Sequence, residues 1–530
     1  MLINRGITTP READEFLNVK IEQMLDPFLF PDMPDAVKRI KQALKKKEKV
    51  MVFGDYDVDG ITSVAVLENS LKNMGIDVQH YLPHRVKEGY GLSKDILRLA
   101  RERDIGLLIT ADCGISNVRE VEGLRKRNID TIITDHHEPH GQVLPPAVGI
   151  INPKIKGSAY KYRDLAGVGV AYKLCQAISG SRLIDELDLV AIGTIADVVP
   201  LTGENRVIVK EGLKILSQTK RPGLKALIEK AGIRGNKFSP TFVSFILAPR
   251  LNASGRMDSA EISLNLLAST DNKNAQELAG LLEGYNRARQ RIECKILEEA
   301  EAIINKEVNF KEHKVIVVAK ENWHQGVLGI VASKLADRFY RPVIVIALNE
   351  DICKGSGRSI KNFHLFNALG ECSKFLNAFG GHAHAVGLTI TRESIDDFRD
   401  SINRLAHKKL SLEDLLPSLD IDMELSLSDL DDESVIELER LAPFGISNAE
   451  PLFFTRGLKL KGEPRGLARE TLKFYVTDGN NAREVIGFGM NALKDDLKDS
   501  RSFDLVYTAR MDNWLGKSAV ILEAKDIFFR

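Results

Sequence analysis

Three aspartates occupy alternate positions in GDYDVDG (54–60): Asp55, Asp57 and Asp59. They follow the apolar run VMVF (50–53). In extended backbone, residues i, i+2 and i+4 point the same way, so these carboxylates are expected to converge. Carboxylates that close repel one another unless a cation lies between them. Three more segments carry the same chemistry. TADCG (110–114) ends an apolar run with Asp112, and TDHHEPH (134–140) follows another with Asp135, His136 and His137. AIGTIADVVPL (191–201) sets Asp197 in an apolar helix end, where a carboxylate needs a partner or a metal. An oxygen-rich set with an imidazole suits two divalent ions, Mn²⁺ first and Mg²⁺ as a substitute. Two such ions can activate water and stabilise the leaving oxygen of a phosphoester. Each segment alone has a plainer reading, such as a turn, a helix cap at Asp112 or a surface His-His pair. Their joint recurrence at element ends points to a metal centre.

The elements that must position these residues are legible as alternating patterns. Apolar strands are expected at 50–53, 106–110, 131–134 and 148–151, with helices at 61–74, 93–103 and 117–127 between them. That alternation predicts a parallel sheet with crossover helices, and ligands bind at the carboxyl edge of such sheets. Residues 184–305 read as mostly helical, ending in one long connecting helix. A second α/β pattern starts at KVIVVA (314–319), with a helix over 327–339 and a strand over 342–348. Residues 411–440 carry eleven acidic residues against one arginine, and alternating apolar residues from Leu419 to Leu427 suggest a strand. Short alternating strands with glycine-rich turns suit a small β-barrel near the end.

At these residues the sequence resembles the DHH phosphoesterase family, named for the Asp-His-His found here at 135–137. GDYDVDG, TADCG, TDHHEP and GTIADVVPL match its four signature motifs in order. PHRVKEGYGLS (83–93), APRLNASGRM (248–257), NWHQGVLGIVASKL (322–335), GSGRS (355–359), GGHAHAVGL (380–388) and LAPFGISNAEPLF (441–453) extend the likeness to the family's single-strand exonucleases. The resemblance implies an α/β fold of two modules, DHH and DHHA1-like, joined by a long helix and followed by an OB-fold barrel. The expected divisions are a helical preface (1–45), a catalytic domain (46–265), a connecting helix (266–308), a DHHA1-like domain (309–410), an acidic linker or strand (411–449) and the barrel (450–530). It implies Asp57, Asp59, Asp112, His136 and Asp197 as metal ligands, His137 as a further catalytic residue, and Asp55 and Asp135 as supporting groups. Many family members carry a histidine two residues before Asp55; here it is Phe53, which removes one ligand or leaves a position open to water.

Substrate contacts follow from the same motifs. An arginine fork matches phosphate geometry. Arg85, Arg256 and Asn252 are implied as binding residues, with Arg256 in a loop-like stretch. Ser356, Arg358, Gly380, Gly381 and His382 belong to the DHHA1-like module, where glycines let backbone approach a phosphate. In the barrel, residues 456–473 carry six basic side chains against two acidic ones. Phe474, Tyr475 and Trp514 are candidate stacking platforms for bases.

Lys plus Arg and Asp plus Glu both total 74, so any polyanion site must come from local asymmetry rather than global charge. Five scattered cysteines without a Cys-x-x-Cys pair argue against a disulfide framework and a thiolate zinc site. The opening MLINRGITTPREADEFL lacks the apolar run of a signal peptide, and no stretch approaches a membrane helix. A cytoplasmic monomer is expected. The resemblance implies degradation of single-stranded DNA, 5′-to-3′, to nucleoside monophosphates in recombination and repair, alongside a single-strand-binding protein and a helicase. Two alternatives remain: a phosphodiesterase for small molecules or short oligonucleotides, and an inactive replication-fork scaffold.

Overall fold

The computed structural model describes all residues except 86, 94, 140–142, 234–237 and 513–518. Trp514 therefore lies outside the described residues. Five strands form the first sheet: β1 (Lys49–Gly54), β2 (Val78–Tyr81), β3 (Ile105–Ala111), β4 (Asp130–Thr134) and β5 (Gly149–Ile151). Their order is β2-β1-β3-β4-β5 and every pairing is parallel. The strands are apolar on both faces. Val50, Val52, Leu107, Ile109 and Ile132 enter the larger core, while Met51, Phe53, Leu108 and Ile133 enter a smaller one under helices Ile96–Glu102 and Val118–Arg125. Period-two alternation with both faces covered is what an all-parallel sheet requires. The strand order reverses between β1 and β3, and such switch points open a crevice at the carboxyl ends of the strands.

Four helices close the large core beside this crevice: α1 (Val58–Asn73), α2 (Gly167–Ser179), α3 (Leu187–Ala196) and α4 (Gly203–Ser217). APRLNASGRM is not a loop; it forms helix α5 (Ala248–Met257). A π-helical turn, Val243–Leu247, leads into it. Pro249, which has no N–H to donate, sits where the ladder passes from the π-helical turn into α5. Helix α6 (Asn272–Glu307) is the predicted connector. Its Ala275, Ala279 and Leu282 pack in the first core, whereas Ile296, Ala300 and Ile304 pack against the second sheet. One continuous helix thus holds two bodies in fixed relation.

The second sheet runs β6-β7-β8-β10-β9, from β6 (Ile316–Glu321), β7 (Val343–Leu348), β8 (Cys353–Arg358), β9 (Ala378–Gly381) and β10 (Ala385–Ile390). Helix α7 (Leu328–Phe339) covers one face. The third sheet comprises β11 (Met423–Glu424), β12 (Phe453–Leu460), β13 (Arg465–Leu467), β14 (Thr471–Thr477), β15 (Ala482–Gly487), β16 (Phe503–Asp512) and β17 (Ala519–Phe529). Pairing of β12 with both β16 and β14 closes a five-stranded ring through β17 and β15. Closure removes the exposed edges of an open sheet.

Two expectations change here. The strand expected from Leu419 to Leu427 shrinks to β11: Leu419, Ile421 and Met423 remain exposed, while Leu425 packs partly buried against the barrel core and Leu427 enters it. Phe474 is buried in that core and offers no stacking face, whereas Tyr475 points outward and donates to Glu484 at 2.6 Å. Of the basic barrel residues, Arg456 and Lys473 are ion-paired with Glu424 and Glu484. Among the described residues, no helix is long and apolar enough to cross a membrane.

One half-buried ion cluster ties β2 to the helices beneath it. His80 lies 2.9 Å from Glu261 and 3.0 Å from Glu68. Bonds to Glu261 and then Glu68 raise its pKa to about 9 from 6.5. A raised folded-state pKa stabilises the fold fully below the unfolded value and stops doing so as pH climbs through the folded one. His80→Gln should therefore lower the melting temperature at pH 6, with the deficit shrinking above pH 9. Melting curves across that range check this, and an equal deficit at both ends contradicts it.

Candidate metal centre

The predicted acidic set assembles at the crevice between β1 and β3. The route differs from simple strand alternation. β1 ends at Gly54, and Asp57 caps α1. Its Oδ1 accepts from the Asp59 and Gly60 amides at 3.0 and 3.2 Å. Asp59 then lies in the first helical turn, where its two oxygens accept from Gly167 at 2.7 Å and Val168 at 2.8 Å. Helix α2 thus aims its amino terminus at a carboxylate, a favourable use of the helix dipole. Glycine is required at 167: a Cβ there would come within 2.4 Å of Asp112 Oδ1.

Asp112 follows β3 with a left-handed backbone (φ 62°). His136 Nε2 lies 3.2 Å from Asp112, 3.6 Å from Asp197 and 3.9 Å from Asp59. Asp55, Asp57 and Asp112 form a second close group that shares Asp112. Among the described residues, four buried polar atoms here lack any hydrogen-bond partner: Asp55 Oδ1, Asp112 Oδ1, His136 Nε2 and Asp197 Oδ2. Buried polar groups are nearly always paired. Free acceptors converging on one point are a donor set fit for divalent cations.

The titration of these groups carries the same message. Burial, followed by its neighbouring aspartates, pushes the Asp112 carboxyl well above the usual range; Asp197 behaves likewise. Asp55 is raised by burial and then Asp57. Asp59 rises to about 7 from burial and Asp57, partly offset by the two α2 amides. His136 falls to about 3 because it is buried beside His137. A backbone bond at Leu165 engages its ring, and Nε2 has no partner, so the neutral imidazole keeps that lone pair for a ligand.

Asp135 is different. Burial alone would raise its carboxyl, but bonds to His137 and to backbone amides hold it below the ordinary value. Its oxygens accept from Ile115 N, His136 N and His137 N, and His137 Nδ1 lies at 2.8 Å. With both oxygens engaged, it orients His137. Phe53 packs in the smaller core against Tyr81, away from this cluster.

The same crevice opens into a cleft of about 1110 Å³ against the second body. Asp55, Asp57, Arg85, Arg256, Ser356, Arg358 and His382 all line it. Arg85 lies over the Tyr56 ring at 4.8 Å. Arg256 donates to Gly326 O at 3.0 Å and bridges the bodies. Its pKa falls to about 9 through burial, Arg85, Arg289 and Arg358. Arg358 is lowered by burial and Arg85. Among the described residues, none of these three arginines forms an ion pair with a carboxylate. Gly380 and Gly381 lie on β9 at the rim, and a Cβ at Gly380 would meet nothing within 4 Å. His382 stacks on His137 across the cleft, with centroids 6.2 Å apart. Asn252 takes another part: its Oδ1 accepts from Val58 N at 3.2 Å, steadying the turn of Asp57.

Sequence reasoning missed two cleft residues. Tyr90 OH lies 2.9 Å from His137 Nδ1 and donates to Asp112 O at 3.2 Å; its only signal was an aromatic between two glycines. Gln325 lines the cleft with a buried, unpartnered Oε1.

Comparison with known proteins agrees with this layout. The family models for the DHH family N-terminal domain, the DHHA1 domain and the RecJ OB domain match residues 49–194, 312–408 and 421–526. The single-stranded-DNA-specific exonuclease RecJ of Bacillus subtilis is 40% identical over 529 residues, covering 99% of this chain and 67% of that protein. The enzyme of the same name from Dickeya dadantii is 34% identical, covering 98% and 93%. The crystal structure of Thermus thermophilus RecJ with Mn²⁺ superposes with a TM-score of 0.85 at 29% identity, covering all of this chain and 75% of that one. Its counterpart with Mg²⁺ gives 0.77 at 27% identity, covering all and 74%.

Removing one repelling carboxylate should stabilise the metal-free state. We expect metal-free Asp112→Asn to melt above the metal-free parent, by about 2–4 °C per kcal/mol relieved. Mn²⁺ should then raise its melting temperature less than it raises the parent's. A lower melting point without metal would show that Asp112 is not under repulsion.

Proposed function

Because the chain belongs to the RecJ family of single-stranded-DNA-specific exonucleases, we infer that it hydrolyses single-stranded DNA from the 5′ end, releasing nucleoside monophosphates. The observation that carries this reading is one cleft holding two opposite kinds of unpaired charge. Asp55, whose buried Oδ1 lacks a partner, and Asp57 line one part of it at the edge of the acidic cluster, and arginines without carboxylate ion pairs among the described residues line another. A phosphodiester with divalent cations satisfies both.

We assign Asp57, Asp59, Asp112, His136 and Asp197 as the residues that hold the ions, and the free oxygen of Asp55 adds it to that set. Mn²⁺ is the expected ion and Mg²⁺ its substitute, as both occur in RecJ structures. When bound, such ions supply Lewis acidity and activate water at neutral pH. Asp135 holds His137, and Tyr90 touches that imidazole, so His137 keeps one orientation beside the reacting phosphate. Arg85, Arg256 and Arg358 bind phosphate oxygens through their forks. The amino end of α7, with Gly326 and Gly329 in the cleft wall, adds backbone dipole. Ser356 and the β9 glycines admit the strand closely, and His382 closes over the site from the second body. The barrel offers Tyr475 and the remaining basic side chains of 456–473 to the strand that follows. A single-strand-binding protein and a helicase are the partners such a role implies, and a monomer in the cytoplasm suffices for it.

A 5′-labelled and a 3′-labelled single strand, digested with Mn²⁺, test the reading. Mononucleotide label should appear at once from the 5′-labelled strand and late from the 3′-labelled one. The reverse order overturns the polarity, and preference for dinucleotides over long strands overturns the substrate. Arg256 separates catalysis from adhesion. Its loss removes one phosphate contact among many but misplaces the scissile bond, which costs roughly 100-fold in rate. Arg256→Ala should keep most DNA affinity and cleave about 100-fold more slowly in single-turnover assays, with Arg256→Lys intermediate. Normal cleavage in Arg256→Ala would remove the residue from the site.

A further inference from the structure

Neither the metal centre nor the cleft uses LAPFGISN (441–448), yet this loop is fastened to the catalytic body just beyond Asp197. The carboxylates of Asp57, Asp59 and Asp135 are each held by backbone amides. Asp197 is not: among the described residues no hydrogen bond holds its carboxylate, and its Oδ2 is buried without a partner. Its aim therefore depends on its main chain. That chain caps α3 and then turns at Val198 with φ 62°, although the valine is exposed. A branched residue keeps that conformation only where its surroundings impose it.

What imposes it lies downstream. Pro200 O accepts from Asn205 Nδ2 at 3.0 Å, and Thr202 O accepts from Tyr162 OH at 2.7 Å. Between them, the Leu201 amide donates to Ile446 O at 2.8 Å. The Leu201 side chain is buried against Gly445, where a Cβ would come within 2.6 Å of its Cδ1. The loop is stiff. Buried Asn448 donates to Leu441 O at 2.9 Å and Pro443 O at 2.8 Å, and accepts from Arg5 Nε at 2.9 Å. Arg206 of α4 pins its base, donating to the carbonyls of Arg440, Leu441 and Ala442.

We propose that the 441–448 loop is a positioning element for Asp197. By gripping the Leu201 amide and side chain, it holds the left-handed turn at Val198 and so the direction of the carboxylate. The chain leading into the barrel and one side of the metal centre thereby share a single brace. The proposal rests on Asp197 being a ligand and goes beyond it by assigning Gly445 and Asn448 to its support.

The test is Mn²⁺ binding by titration calorimetry without DNA, paired with amide exchange at residues 198–202 and 61–71. In Gly445→Ala and Asn448→Ala, exchange at Leu201 should accelerate while α1 stays protected. Mn²⁺ affinity should fall about 10-fold, as for lost outer-shell support elsewhere. Faster exchange at Leu201 with parental Mn²⁺ affinity overturns the proposal, as does unchanged exchange in both variants. Should Asn448→Ala not fold, Gly445→Ala decides alone, since its glycine needs no left-handed backbone. Asp197→Asn separates the two levels. Parental Mn²⁺ affinity there refutes the ligand itself, whereas a loss there without one in Gly445→Ala refutes only the brace.

Discussion

Repulsion among buried carboxylates is the constraint on which this structure turns. Asp55, Asp59, Asp112 and Asp197 are all held where burial and one another's charge oppose ionisation. Such a cluster is relieved either by taking up protons or by binding cations, and cations do so while the carboxylates stay charged. The surrounding architecture makes the gathering possible. A parallel sheet brings successive strand ends to one edge, and the switch between β1 and β3 leaves room there. Helix α2 donates two amides to Asp59, so part of the charge is already answered before any ion arrives.

The second body faces that edge across the cleft. Helix α6 is buried at one end in the first core and at the other in the second, which fixes the width of the cleft between them. Arg256 reaches across to Gly326, and His382 stacks on His137 from the far side. Among the described residues, Arg85, Arg256 and Arg358 line the cleft without carboxylate ion pairs, and burial with neighbouring arginine charge lowers the pKa of Arg256 and Arg358. Local asymmetry thus provides what a balanced overall charge cannot.

The gathering of these acids was readable because each stands at an element end, where an apolar run stops and a polar residue has no packing reason to be. The sheet was readable for the same reason. The path of convergence was not. Alternation along a strand suggested that Asp55, Asp57 and Asp59 share a face, whereas a helix begins at Val58 and Asp57 serves as its cap. Arg256 was expected in a loop-like stretch, whereas LNASGRM is helical and packs against α6. Phe474 and Tyr475 show the limit of composition: adjacent aromatics on one strand point to opposite faces, and only register decides which enters the barrel. Leu419 and Ile421 alternate ahead of β11 and, like Met423 within it, keep their side chains exposed, so periodicity alone overstated that strand.

Anomalous diffraction from crystals grown with Mn²⁺ addresses the central claim most directly. Two peaks are predicted inside the acidic cluster, roughly 3.5–4 Å apart as in two-metal phosphodiesterases. One should be contacted by Asp59, His136 and Asp197 and the other by Asp55 and Asp57, with Asp112 reaching both. Peaks elsewhere on the molecule, or a cluster free of Mn²⁺ with its carboxylates turned outward, would contradict the account.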